Sequence, residues 1–231
     1  MTPLVLIPGM MCDARLFGPQ IAAFSARRPI HLAVISGHAS VTELARDVLR
    51  TAPDRFALCG LSMGGIVAME ILRLSPDRVD RVALLDTNPL AELDEVKQKR
   101  LPQMMAARDG KLAQIMRDEL KPNYLADTPH RGAILDLCMD MALALGPHVF
   151  LHQSRALMDR EDQTETLSQL DIPTLILCGS DDRLCPISRH ELMAGLVQGS
   201  RLEIIENAGH LPTLENPQDT NAALARWLEE R

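Results

Sequence analysis

The sequence predicts an α/β fold of three layers: a sheet of about six mostly parallel strands, helices on both faces, and a helical insertion after the fourth strand. Three observations carry this. Short β-branched or Leu-rich runs alternate with helix-length segments. The runs are apolar on consecutive positions rather than on every second one, as strands covered on both faces are. Between Pro89 and Leu170 the alternation stops for roughly 80 residues, replaced by helical spacing, and then resumes.

The elements follow in order. Leu4–Ile7 is the first strand, stopped by Pro8-Gly9, and Ile30–Ile35 the second. Val41–Leu49 is a helix with Leu44, Ala45, Val48 and Leu49 on one side and Thr42 as its cap. Phe56–Cys59 is a strand and Ile66–Leu74 a helix. Val82–Leu85 is the fourth strand. The insertion, 89–170, reads as about four helices. Leu112, Ile115, Met116 and Leu120 make one apolar face; Ile134, Leu135, Cys138, Met141 and Ala142 make another. Pro102, Pro122, Pro129, Gly146 and Pro147 punctuate it. Thr174–Cys178 and Leu202–Ile205 complete the sheet, and Asn221–Leu228 is the last helix. Residues 1–88 and 171–231 therefore form one core, with 89–170 expected over the C-terminal edge of the strands, where α/β sites lie.

Composition narrows the function. The chain has 231 residues, 46% hydrophobic and 24% charged, which suits one globular unit. A net charge of -7 with no basic stripe argues against a nucleic-acid partner, and 3% aromatic residues leave few stacking platforms. No run approaches the ~20 apolar residues of a membrane span, and Leu4–Ile7 has no basic lead-in of a signal segment. Five cysteines without a CxxC pair suit small buried side chains in a reducing compartment, so the cytoplasm is expected.

Chemistry enters at Gly60-Leu61-Ser62-Met63-Gly64, a G-x-S-x-G pattern. Alone it arises by chance in roughly one chain in ten of this length. Its setting, after a buried strand and before a helix, is that of a nucleophile elbow. The turn is tight enough to require small neighbours two residues either side, and it puts Ser62 at a helix N-terminus, where free N–H groups face developing negative charge. The lysine of a phosphate-binding loop is missing.

Serine needs a base. Of seven histidines, His210 lies in Asn207-Ala208-Gly209-His210-Leu211-Pro212, a loop after the last strand. His148 and His152 share a helix face, but no third metal ligand is placed with them, so no metal is expected. The carboxylate that orients the imidazole is Asp181 or Asp182, after Thr174–Cys178, with Asp86 as a competitor after Val82–Leu85. The chain order serine, aspartate, histidine matches one known arrangement of the triad.

With Gly60-Leu61-Ser62-Met63-Gly64, Gly179-Ser180-Asp181-Asp182 with Pro186, and Gly209-His210, the chain resembles the α/β-hydrolase-fold superfamily, in its carboxylesterase-like group with a helical cap. The resemblance runs from Leu4 to Trp227, loosely across the insertion. It implies that Leu4–Ile7 is the third strand of the family sheet. It also selects Asp182 as the acid, fourth from the strand-ending glycine. The family's His-Gly-x element is Pro8-Gly9-Met10 here, so the implied oxyanion donors are the backbone N–H groups of Met10 and Met63. Met11 and Leu211 are expected to line the substrate pocket.

The expected activity is cleavage of small to medium carboxylic esters, methyl esters or lactones included, through an acyl-enzyme and with no cofactor. The same triad also serves thioester or C–C hydrolysis, perhydrolysis and acyl transfer, and a non-catalytic ligand receptor is the reading from another class. The partner is a small-molecule ester, and the chain is expected as a monomer or homodimer.

Overall fold

In the computed structural model, which describes residues 1–229, six parallel strands form one sheet in the order β2-β1-β3-β4-β5-β6. They are β1 Leu4–Ile7, β2 Ile30–Leu32, β3 Phe56–Leu61, β4 Val79–Leu85, β5 Thr174–Gly179 and β6 Arg201–Ile205. The four inner strands are the continuous apolar runs, because both of their faces are covered. Val5, Ile7, Leu58 and Leu84 point to one side; Leu4, Leu6, Cys59 and Leu85 point to the other.

Helix α1, Gly18–Phe24, lies on the second side. Helices α2, Val41–Thr51, and α3, Met63–Leu74, cover the first. Between β4 and β5 come α4 (Asp94–Arg108), α5 (Leu112–Ile115), α6 (Arg131–Met158) and α7 (Thr164–Ser168). A π turn at Met116–Leu120 and a 3-10 turn at Lys121–Asn123 continue α5. Helix α8, Ile187–Leu196, returns to the first side, while α9 (Pro212–Glu215) and α10 (Pro217–Glu229) close the second. Trp227 of α10 is fully buried, and its indole N–H donates to Pro173 O (3.2 Å).

Three expectations change. The second strand stops at Leu32 rather than Ile35: it is an edge strand with β1 as its single neighbour, although Ala33 and Ile35 remain in the core. Thr42 is not the cap of α2; Ser40 holds that position, and Thr42 Oγ1 donates to the buried Glu70 (2.6 Å). The third concerns α6, which by length and composition is apolar enough to cross a membrane. It is broken at Gly146 (φ 80°, ψ 175°), where Gly146-Pro147 interrupts the pattern. Its residues enter three packed clusters: Cys138 and Met141 in one, Ala142 and Phe150 in the insertion's own, Ala156 and Leu157 in the core beneath the sheet.

Because every strand runs the same way, the loops after β1, β3, β4, β5 and β6 all emerge at one edge. Those loops carry Met10, Ser62, Asp86, Asp182 and His210.

Candidate active site

Ser62 occupies a backbone conformation rare outside glycine, φ 54° and ψ -117°, between β3 and α3. Such a residue costs about 1–3 kcal/mol and persists only when its surroundings fix it. Here its N–H donates to Leu85 O (2.9 Å), and its carbonyl accepts from Gly65 N–H (2.9 Å) and Thr87 Oγ1 (2.7 Å). Both motif glycines are hemmed in by backbone, Gly60 by Gly64 and Gly64 by Ile7 and Pro8. A Cβ on Gly60 would lie 2.2 Å from Gly64 O, and one on Gly64 would lie 2.0 Å from Ile7 O. The elbow requires glycine by close approach of backbone, at both positions.

His210 Nε2 lies 2.9 Å from Ser62 Oγ, and His210 Nδ1 lies 2.8 Å from Asp182 Oδ2. Both His210 and Asp182 are buried. The other oxygen of Asp182 accepts from the N–H groups of Leu184 (2.8 Å) and Cys185 (3.0 Å). Burial pushes Asp182 up, but the His210 ring and those two N–H groups outweigh it and hold the carboxyl below its ordinary value. Asp181 is exposed and accepts from Ser180 Oγ instead (2.8 Å).

Asp86 sits behind Asp182 and does not bond to His210. Its Oδ1 accepts from Gly179 N–H (2.9 Å), and its Oδ2 meets no donor. Burial first, and then the Asp182 charge, push its carboxyl well above the ordinary range. Two adjacent buried carboxylates do not both ionise, so Asp86 keeps its proton and Asp182 carries the charge.

The Met10 and Met63 N–H groups donate to no protein group among the described residues. Both residues line a cavity of about 550 Å³ together with Ser62, His210 and Leu211. Met11 does not. Its backbone turns through φ 55°, which buries its side chain with Ala107, Leu112 and Phe150 of the insertion. Of the insertion's methionines, Met116 and Met141 are likewise core; the cavity's apolar wall there is Leu93, Val96, Leu120 and Leu157.

Three residues that sequence reasoning passed over hold the loops. Gln153, buried on α6, accepts from Met11 N–H (2.8 Å) and donates to Ile35 O (2.9 Å), clamping the loop after β1. Glu215 accepts from the N–H groups of Gly209 (2.9 Å), Leu211 (3.0 Å) and Ala126 (2.8 Å), so it brackets His210. His190 Nε2 accepts from Thr87 N–H (3.1 Å), and burial pushes the imidazole down to about 4, keeping it neutral. No local signal marks Gln153, which follows His152 and precedes Ser154 and Arg155 in the sequence.

His148 and His152 do share a face, with ring centroids 4.0 Å apart. Among the described residues the one group of three possible metal ligands is Asp182, Cys185 and His210, within 4.8 Å of one another. Asp182 and His210 direct these atoms at each other, and burial pushes the Cys185 thiol up, away from the thiolate a metal takes.

A family model described as "Alpha/beta hydrolase family" matches residues 4–223. The chain belongs to the alpha/beta hydrolase family. Its relatives within that family include esterases. The pimeloyl-[acyl-carrier protein] methyl ester esterase of Neisseria meningitidis is 24% identical over 237 residues, covering 97% of this chain and 92% of that protein. A thermophilic esterase from Thermogutta terrifontis, solved with malate bound, superposes with a TM-score of 0.91 at 26% identity, over 99% of this hydrolase and 89% of that chain. The enol-lactonase of Burkholderia xenovorans shares the fold, with a TM-score of 0.87 at 21% identity over 99% and 92% of the two chains.

Proposed function

We propose that this hydrolase cleaves small to medium carboxylic esters, methyl esters and lactones among them, through an acyl-enzyme on Ser62. The observation that carries the reading is the unbroken relay from Asp182 through His210 to Ser62, opening on the cavity. His210 Nε2 takes the Ser62 proton as Oγ attacks the carbonyl carbon, and Asp182 stabilises the imidazolium. The Met10 and Met63 N–H groups hold the oxyanion, at about 3 kcal/mol per donor. The alcohol leaves with the proton from His210. Water, giving a proton to His210, then attacks the acyl carbon, and Ser62 recovers that proton as the acid departs. The steps balance with water alone.

The insertion, 89–170, acts as a cap, roofing the cavity with Leu93, Val96, Leu120 and Leu157. The mainly apolar wall suits aliphatic groups, and the methyl ester and lactone specificities in the relatives' names support the choice of bond. Five free thiols support a place in the cytoplasm. The test is a panel of p-nitrophenyl esters, methyl esters, lactones and thioesters. The expected result is ester turnover that Ser62→Ala abolishes. Turnover of no ester above the Ser62→Ala baseline overturns the proposal.

A further inference from the structure

The cavity is cationic in an acidic chain. Net charge is -7, yet Lys99, Arg100, Arg160, Arg183 and Arg189 line the cavity against one carboxylate, Glu92. Glu92 is buried and binds two guanidiniums at once: Arg100 Nε at 2.7 Å from one oxygen, Arg160 Nη1 at 2.8 Å from the other. One carboxylate between two guanidiniums leaves one positive charge unbalanced.

The two arginines differ. Arg160, 7% exposed, is committed to the fold: Nε donates to Leu90 O (2.9 Å), and Nη1 also to Leu157 O (3.5 Å). Arg100 spends only Nε on Glu92. Its Nη1 touches the thioether of Met10 (3.8 Å), a weak acceptor, and its Nη2 has no partner among the described residues. Nη2 is not among the buried unpartnered atoms, so it is accessible, and Arg100 lines the cavity. A guanidinium 16% exposed, fixed at one edge by Glu92 and unsatisfied at the other, is a preset fork for an anion. It lies one side chain from the acyl centre, because Met10 is also the residue proposed to hold the oxyanion.

Resting on the ester-hydrolase reading, we propose that Arg100 anchors a carboxylate at the far end of the substrate, so that the preferred substrates are half-esters of dicarboxylic acids. The open edge of one planar guanidinium offers parallel N–H groups that fit the two oxygens of a carboxylate.

The test compares kcat/KM for monomethyl adipate with that for methyl hexanoate, which has the same acyl length without the charge. Wild type is expected to prefer the half-ester by about tenfold or more, carried by KM. Arg100→Gln brings the ratio towards one, and Arg100→Lys, which keeps the charge, retains part of it; thermal melts confirm that both fold. Equal use of the two esters by wild type, or an unchanged ratio in Arg100→Gln, overturns the inference while leaving the hydrolase reading intact. Should neither ester turn over, the p-nitrophenyl ester and lactone panel decides the hydrolase reading separately, and calorimetry of monomethyl adipate binding to Ser62→Ala still decides the anion site. Binding weakened about tenfold by adding Arg100→Gln supports it, and equal binding refutes it. Inorganic phosphate competing as well as adipate would refute the carboxylate assignment.

Discussion

One carboxylate, Asp182, bonds His210 and a second, Asp86, stands against the first, and replacing each by its amide separates their roles. In Asp182→Asn the amide has one allowed orientation. The N–H groups of Leu184 and Cys185 converge on Oδ1, so the amide oxygen must stay there and the NH2 must take the place of Oδ2, 2.8 Å from His210 Nδ1. A donor facing Nδ1 forces the ring proton onto Nε2, which can then no longer accept from Ser62 Oγ. A tautomer trapped this way lowers kcat by about ten-thousand-fold, close to 5.5 kcal/mol of transition-state stabilisation. Asp86→Asn should behave differently. Its amide oxygen accepts from Gly179 N–H as Oδ1 does now, and its NH2 stands where the retained acid proton of Oδ2 faces Asp182. The amide reproduces a neutral acid, so kcat/KM should stay within about tenfold of wild type. Steady-state hydrolysis of p-nitrophenyl butyrate, with thermal melts to show that both variants fold, reads the two values. Equal losses in the two variants, or an Asp182→Asn enzyme within about tenfold of wild type, would refute the division of labour.

Two further outcomes concern stability. His190 is held down to about 4 in the fold from an ordinary 6.5, so its neutral form stabilises the protein fully above that ordinary value and progressively less as pH falls towards the lower one. At about 1.4 kcal/mol per pH unit, the unfolding free-energy difference between wild type and His190→Gln should shrink by about 3 kcal/mol over that window in urea titrations, and a pH-independent difference would contradict the burial argument. Gly64→Ala drives a Cβ to 2.0 Å from Ile7 O and should cost about 3 kcal/mol or prevent folding, whereas Gly195→Ala on α8 meets nothing within 4 Å and should be neutral or stabilising by about 0.5–1 kcal/mol; similar melting temperatures for the two would contradict the close approach at the elbow.

What the sequence makes legible is local. A strand buried on both faces announces itself by consecutive apolar residues, and the elbow by its G-x-S-x-G spacing; the need for Gly60 is local, at Gly64, whereas the need for Gly64 comes from Ile7 on another strand. Ser62 and His210 are found by asking which polar residue follows a strand; the same question leaves Asp181, Asp182 and Asp86 open, and the family resemblance selects Asp182. The structure brings Ser62, Asp182 and His210 within hydrogen-bond distance. The residues that brace them are not found this way. Gln153 acts on a backbone group 142 positions away, and Arg100 meets Met10 across 90. Met11 misleads for a related reason: adjacency to Met10 suggests a shared pocket, but a left-handed turn sends its side chain into the insertion's core. The edge strand β2 falls short because pairing on one side, and not composition, sets where a strand ends.

The central claim is that Ser62 is made nucleophilic by His210. Covalent labelling with a fluorophosphonate, read by intact mass, tests it most directly. Wild type and Ser180→Ala should each gain one adduct, Ser62→Ala none, and His210→Ala should label slower by several orders of magnitude. An adduct on Ser62→Ala, or wild-type labelling rates in His210→Ala, would contradict it.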